Sequence, residues 1–172
     1  MRNFNQKFRL RDSDRHIRLL YTLFLLLMFA GFCFSFFWAH SMTGLSPQGI
    51  AEHYRGSDAT FGEPMSFREL AEITHFHLFT MPVVFMILIH VMYLTNATHA
   101  LKSIVTWAGF GGVMLDLVSP WLISYVSPIF VASMLTGDIL MTLSFLVMMV
   151  VPLYEMWVLR QPLMGGKRPQ EF

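Results

Sequence analysis

The chain has 172 residues, of which 55% are hydrophobic and only 13% are charged, and its formal net charge is +1. This composition, with the charges crowded into the two ends and one loop, is typical of a membrane protein and gives no sign of a nucleic-acid surface or a nucleotide site. The single cysteine, Cys33, excludes an internal disulfide and a thiolate cluster.

Four apolar stretches are long enough to cross a bilayer as helices, since about 20 apolar residues suffice for a helix to span the hydrocarbon. They cover residues 17–39, 73–95, 104–126 and 129–158. The sequence therefore predicts an all-α integral membrane bundle of four transmembrane helices that forms one domain over residues 1–172.

The basic residues predict the orientation of this bundle. Six of them lie in the first eighteen residues, Lys102 lies between the second and third spans, and three more follow the fourth span. Because flanks rich in Lys and Arg stay in the cytoplasm, we expect both termini to be cytoplasmic and the longer loop, residues 41–68, to lie outside. The expected location is a bacterial inner membrane.

Local signals mark helix ends inside and after this loop. Ser46, followed by a proline, is typical of a helix start and Gly56 of a helix end, so the loop is predicted to hold a short helix, with a packed loop as the alternative. Ser66 and Glu69 match a capping box, which predicts that the second long helix begins before residue 73.

Small residues at helical spacing mark the third span. Ala108 and Gly112 stand four residues apart, and Gly109 and Gly111 lie between them. This spacing predicts close contact with a neighbouring helix.

The second span carries histidines at two levels of the membrane. At 100° per residue, Glu72, His75 and His90 fall on one stripe and His77 falls on the opposite side. The axial rise separates His75 from His90 by about 22 Å. The histidines of this span are therefore not predicted to form a single site.

The outer half of the bundle is predicted to hold the functional site, because ionisable groups within spans usually face the bundle interior. His40 ends the first span, and Asp116 and Asp138 lie at matched depth in the third and fourth. Asp116, Asp138 and Glu72 are candidate proton acceptors. Two alternatives remain for the aspartates: caps of broken helices, or ligands of a divalent metal together with His75 and Glu72.

The segments "WAH", "THFH" and "ILIH", which contain His40, His75, His77 and His90, resemble those of four-helix membrane b-type cytochromes that exchange electrons with quinones. The resemblance implies a haem b near the outer face, with His40 and His75 as candidate iron ligands. His77 is an alternative to His75 in this role. His90 is a further candidate for cofactor binding. It also implies quinol as the electron source or sink, and other membrane or extracytoplasmic electron-transfer subunits as partners.

Two other functions remain open from the sequence. One is a non-redox accessory subunit of a larger respiratory or photosynthetic membrane complex, in which histidines and aspartates only lock helices together. The other is metal or proton transport along the stripe that begins at Glu72.

Overall fold

The computed structural model describes residues 9–57 and 62–159, and this part of the chain is helical. The basic tail predicted to be cytoplasmic after residue 159, and the first eight residues, lie outside it. Its elements are α1 (Arg15–Thr43), α2 (Pro47–Arg55), α3 (Phe67–Tyr93), α4 (His99–Tyr125) and α5 (Val131–Trp157), with short 3-10 turns at Leu10–Asp12 and Pro128–Phe130.

The long helices confirm the predicted fold class. α1, α3, α4 and α5 with its preceding turn are each long and apolar enough to cross a membrane. The protein is thus a multi-pass integral membrane protein, and its surroundings are a lipid bilayer. The fourth span opens with a turn rather than with regular helix, because Pro128 follows Ser127, whose side chain accepts a hydrogen bond from the backbone N–H of Ile129.

The predicted helix ends are confirmed by their caps. The side chain of Ser46 accepts a hydrogen bond from the backbone N–H of Gly49 at 3.0 Å, and Gly56 closes α2 with a φ of 77°, which favours glycine. Ser66 and Glu69 form the reciprocal capping box of α3. The short helix expected in the loop is therefore present, and α3 begins six residues before the predicted span.

The two described chain ends lie at the same end of the bundle. The backbone N–H of Leu10 donates to the carbonyl of Leu94, and the carboxylate of Glu155 accepts from the backbone N–H of Asn96 at 2.8 and 2.9 Å. We call this end, with the link between α3 and α4, the Lys102 end. α2 and the turn between α4 and α5 form the opposite end, which we call the α2 end.

The closest helix contact is the crossing of α4 and α5. A Cβ added at Gly112 would lie 2.8 Å from the carbonyl oxygen of Gly137 and 3.0 Å from the backbone nitrogen of Met141. A Cβ added at Gly109 would meet the ring of Phe85 on α3 at 2.7 Å. The close contact expected from the small residues is thus confirmed, and Gly109 and Gly112 are the residues that provide it.

α1 packs on the outside of the bundle, with α2 and α5 as its main neighbours. The rings of Phe32 and Phe145 stack with centroids 4.7 Å apart, and Trp157 donates a hydrogen bond from its indole nitrogen to Thr22 at 3.0 Å. The guanidinium of Arg18 lies 5.3 Å from the centre of the Trp157 ring. Most of the remaining surface of α1 is exposed.

The crossing of α4 and α5 can be tested with a pair of glycine substitutions. We expect Gly112→Ala to destabilise the folded protein by about 1–3 kcal/mol, the usual range for overpacking, because the new methyl group meets backbone atoms that cannot rotate away. Gly111→Ala is the matched control, since nothing lies within 4 Å of the added Cβ there. Thermal unfolding in detergent measures both, and equal melting temperatures for the two variants would contradict the close crossing.

Candidate functional site

An imidazole and a carboxylate from neighbouring helices meet in the half of the bundle near α2. Nδ1 of His77 on α3 lies 3.7 Å from Oδ2 of Asp116 on α4. The side chain of His77 is 42% exposed and that of Asp116 is 14% exposed. The partly accessible imidazole of His77 therefore lies next to the mostly buried carboxylate of Asp116. Their distance is suited to a charge interaction rather than to a direct hydrogen bond.

A second carboxylate joins this pair through the glycine crossing. A Cβ added at Gly137 would lie 3.3 Å from the backbone nitrogen of Asp116, so the turn of α5 that carries Asp138 runs directly beside Asp116. Both aspartates lie inside continuous helices, α4 and α5. The alternative interpretation of these residues as caps of broken helices is therefore wrong.

A tyrosine from α2 lies near the two aspartates. Tyr54 is buried, and both Asp116 and Asp138 are close enough for their charges to act on its hydroxyl. Burial, followed by these two negative charges, raises the pKa of Tyr54, so its phenol stays a neutral hydrogen-bond donor. We call Tyr54, His77, Asp116 and Asp138 together the acidic site.

α2 is fixed over the bundle by contacts that position Tyr54. The carbonyl of Tyr54 accepts a hydrogen bond from the backbone N–H of Met65 at 3.2 Å, and Arg55 donates to the carbonyl of Ile123, near the end of α4, at 2.8 Å. Tyr54 packs in an apolar cluster with Ile50 and Ile123. Tyr54 was not predicted from the sequence to be a site residue, although its spacing of four residues from Ile50 puts both on one face of α2.

His53, the neighbour of Tyr54, lies at the edge of the site. Its ring meets the Tyr54 ring edge-on at a centroid distance of 5.0 Å. Partial burial lowers the pKa of His53, and the nearby carboxylate of Glu69 opposes that shift. The lowered pKa favours a neutral imidazole at this edge at neutral pH.

The other ionisable residues of α3 face away from the bundle. Glu72 is exposed and pairs with Arg68 at 2.9 Å. His75 is exposed and contacts the ring of Phe79 edge-on, with centroids 5.2 Å apart, and His90 is exposed as well. The stripe predicted on the helical wheel exists, but it is the opposite face, with His77, that turns toward α4.

His40 lies in the last turn of α1 and is exposed, with its carbonyl accepting the backbone N–H of Gly44 at 2.8 Å. The main neighbours of α1 are α2 and α5, whereas His75 belongs to α3. Within residues 9–57 and 62–159, no group of three or more His, Cys, Asp or Glu side chains is arranged to hold a metal ion. The two candidate haem ligands thus lie exposed on helices that are not main neighbours.

The environment of Tyr54 can be tested by alkaline titration of tyrosine absorbance. The chain has five tyrosines, and we expect Tyr54 to remain protonated at a pH where an ordinary phenol, with a pKa of about 10, has ionised. The wild-type protein and Tyr54→Phe should then show the same absorbance change up to about pH 11. A larger change in the wild type would mean that Tyr54 ionises normally and is not enclosed by the aspartates.

Comparison with known families gives a match to the Aq_1264_TM model, described as a transmembrane helical domain, over residues 44–163. No match was found among curated proteins or among solved structures. The matched residues begin at Gly44, which caps α1, and include α2 to α5 and the whole acidic site, whereas His40 lies outside them. The chain belongs to the Aq_1264_TM family of transmembrane helical domains.

Proposed function

We propose that the chain is a membrane subunit in quinol-linked electron transfer, and that the acidic site accepts the protons of a quinol. The observation that carries this proposal is the pair of His77 and Asp116, in which a half-exposed imidazole stands 3.7 Å from a mostly buried carboxylate. A base that is open to a lipid-soluble substrate and supported by an adjacent carboxylate is suited to accept a proton from a hydroxyl group.

The chemistry of a quinol matches the groups of the acidic site. Oxidation of a quinol to a quinone releases two protons and two electrons. His77, supported by Asp116, accepts a proton from one hydroxyl, and Asp138 beside it provides a second carboxylate for the other. The neutral phenol of Tyr54 is available to donate a hydrogen bond to the quinone oxygen, and the two electrons pass to an electron-carrying partner subunit.

The core of the bundle favours an acid–base site that serves one side of the membrane. Between the acidic site and the Lys102 end, the buried core of the described residues is largely apolar, with Phe85, Val113, Phe145 and Met148, and Ser144 is a buried polar residue among them. A proton route across the membrane needs polar groups or water along its length. The geometry therefore supports proton exchange at the α2 end better than transport across the bilayer.

A haem b remains part of the proposal as a cofactor shared with a neighbour. The exposed imidazoles of His75 and His40 do not fit a bis-histidine haem held inside one bundle. An exposed imidazole beside an aromatic ring, as in His75 with Phe79, would be suited to bind the iron of a haem, an electron carrier, at an interface with a partner subunit or a second copy. No step of the proton chemistry above depends on it.

The quinol proposal predicts specific binding of a short-chain quinone. We expect a decyl-quinone analogue to bind the full chain in nanodiscs saturably, measured by quenching of tryptophan fluorescence, because Trp121 packs against the cluster that holds Tyr54. His77→Ala and Asp116→Asn should each weaken binding at least tenfold, about 1.4 kcal/mol.

His16→Ala is the matched control, since His16 is exposed at the opposite end of the bundle. Its dissociation constant for the quinone should equal that of the wild type. Unsaturable quenching, or equal dissociation constants in the wild type, His77→Ala and Asp116→Asn, would remove the basis of the proposal.

The haem proposal is tested separately by the visible spectrum. We expect the protein purified with its native membrane partners to show a reduced-minus-oxidised haem band that is lost in His75→Ala and retained in His16→Ala. A colourless, iron-free preparation of the assembled complex would count against haem while leaving the quinone-binding test unaffected.

A further inference from the structure

A cavity with both polar and apolar residues in its wall lies at the Lys102 end, far from the acidic site. It has a volume of about 570 Å³ and lies between the start of the described chain and the link from α3 to α4. Its polar lining consists of Arg9, Tyr93, Asn96, Thr98, His99 and Lys102. Two of these side chains, Arg9 and Lys102, are basic, so the cavity is suited to an anion.

The two cations are held close together by one backbone oxygen. Nη1 of Arg9 donates to the carbonyl of Thr95 at 2.8 Å, and Nζ of Lys102 donates to the same oxygen at 2.7 Å. Lys102 is only 4% exposed and also donates to the carbonyl of Tyr93 at 3.2 Å. Two positive charges are therefore fixed side by side at the wall of a cavity, which is costly unless negative charge lies nearby.

The described residues that line the cavity supply no negative charge. Glu155 is the carboxylate close enough to act on Lys102, and it is buried and engaged by the backbone and side-chain amides of Asn96. Arg9 and Lys102 line the cavity without a carboxylate among the other lining residues, so its wall carries an excess of positive charge. The exposed ring of His99 lies in the same wall.

The N-terminus of α4 borders the same cavity. Thr98 caps this helix of 27 residues by accepting the backbone N–H of Leu101 at 3.3 Å. The other N–H groups of a first helical turn and the positive end of the helix dipole favour an anion. The cavity thus combines fixed cations, backbone donors and enough volume for a phosphate group.

We propose that this cavity binds a phosphate group, and that its source is the headgroup of an anionic membrane lipid. The cavity lies where the transmembrane helices α3 and α4 join, which is the depth of the headgroup layer. Guanidinium, ammonium and helix N-termini are the donors that phosphates prefer in proteins. A headgroup without an ammonium of its own fits best, because the cavity already carries excess positive charge.

The test is native mass spectrometry of the full chain titrated with phosphatidylglycerol and, separately, with phosphatidylcholine. We expect tighter binding of phosphatidylglycerol, and a loss of at least tenfold in its affinity in Arg9→Gln, with recovery in Arg9→Lys. Arg68→Gln is the control, because Arg68 is an exposed cation at the α2 end. It should retain the preference.

Lys102→Met gives a second variant, with folding checked by circular dichroism because Lys102 is buried. If it does not fold, Arg9→Gln decides the test, since Arg9 is only partly buried. A further titration adds inorganic phosphate to lipid-free protein in detergent. One outcome is that phosphate binds in an Arg9-dependent way while the protein shows no preference for phosphatidylglycerol. That result supports the phosphate site but shows that its ligand is a soluble ion and not a lipid headgroup.

Two results overturn the proposal. One is a phosphatidylglycerol preference that is unchanged in Arg9→Gln or lost equally in Arg68→Gln. The other is the absence both of that preference and of phosphate binding.

Discussion

The close crossing of α4 and α5 at Gly112 and Gly137 is the constraint on which the rest of the structure depends. In a bilayer, lipid tails are as apolar as leucine, so helices associate through close packing rather than through the hydrophobic effect. Because Gly112 and Gly137 have no side chains, the two backbones approach closely. A Cβ added at Gly112 would lie 2.8 Å from the carbonyl oxygen of Gly137. Asp116 and Asp138, each adjacent to the crossing, are brought together by this approach. Phe85 of α3 packs against Gly109 of α4, and on the same pair of helices His77 lies beside Asp116.

The bundle has two polar ends and an apolar middle, and each polar end is enclosed by a short segment outside the long helices. At one end α2 covers the acidic site with Tyr54 and is attached to α4 through Arg55. At the other end the turn before α1 docks against the link between α3 and α4, where Arg9 and Lys102 share the carbonyl of Thr95. Ionisable groups are costly in hydrocarbon unless neighbouring polar groups offset the cost. Their placement at the two ends keeps them near hydrogen-bonding partners or the interface.

Local signals in the sequence predicted much of this fold, because they act over a few residues. Hydrophobic length predicted the four spans, Ser46 and Ser66 predicted helix starts, and the glycines of α4 predicted a close crossing. Counting residues from the span ends also predicted that Asp116 and Asp138 lie at matched depth. What the sequence did not reveal is which face of α3 turns inward. Its faces are all apolar enough for lipid, so the helical wheel separated His75 from His77 without showing that His77 is the one that meets Asp116.

Two other features required contacts between residues far apart in the sequence. Tyr54 lies near the aspartates only because α2 folds back over the bundle, and no local pattern in the loop shows where that helix docks. The cavity near Lys102 exists because Arg9, 86 residues before Thr95, returns to its carbonyl oxygen. The family match begins at Gly44, so the acidic site belongs to the matched domain, whereas Arg9 and the whole of α1 precede it.

The position of α1 has a consequence for the biogenesis of the protein. A chain is synthesised from its N-terminus, so α1 is made before α3, α4 and α5. Yet two of its contacts within the membrane-spanning region, Phe32 with Phe145 and Thr22 with Trp157, are made with α5, which of the described helices is synthesised last. These two contacts can therefore form only after α5 has been synthesised and inserted. The packing of α1 is thus completed late in assembly, although α1 is synthesised before the other long helices.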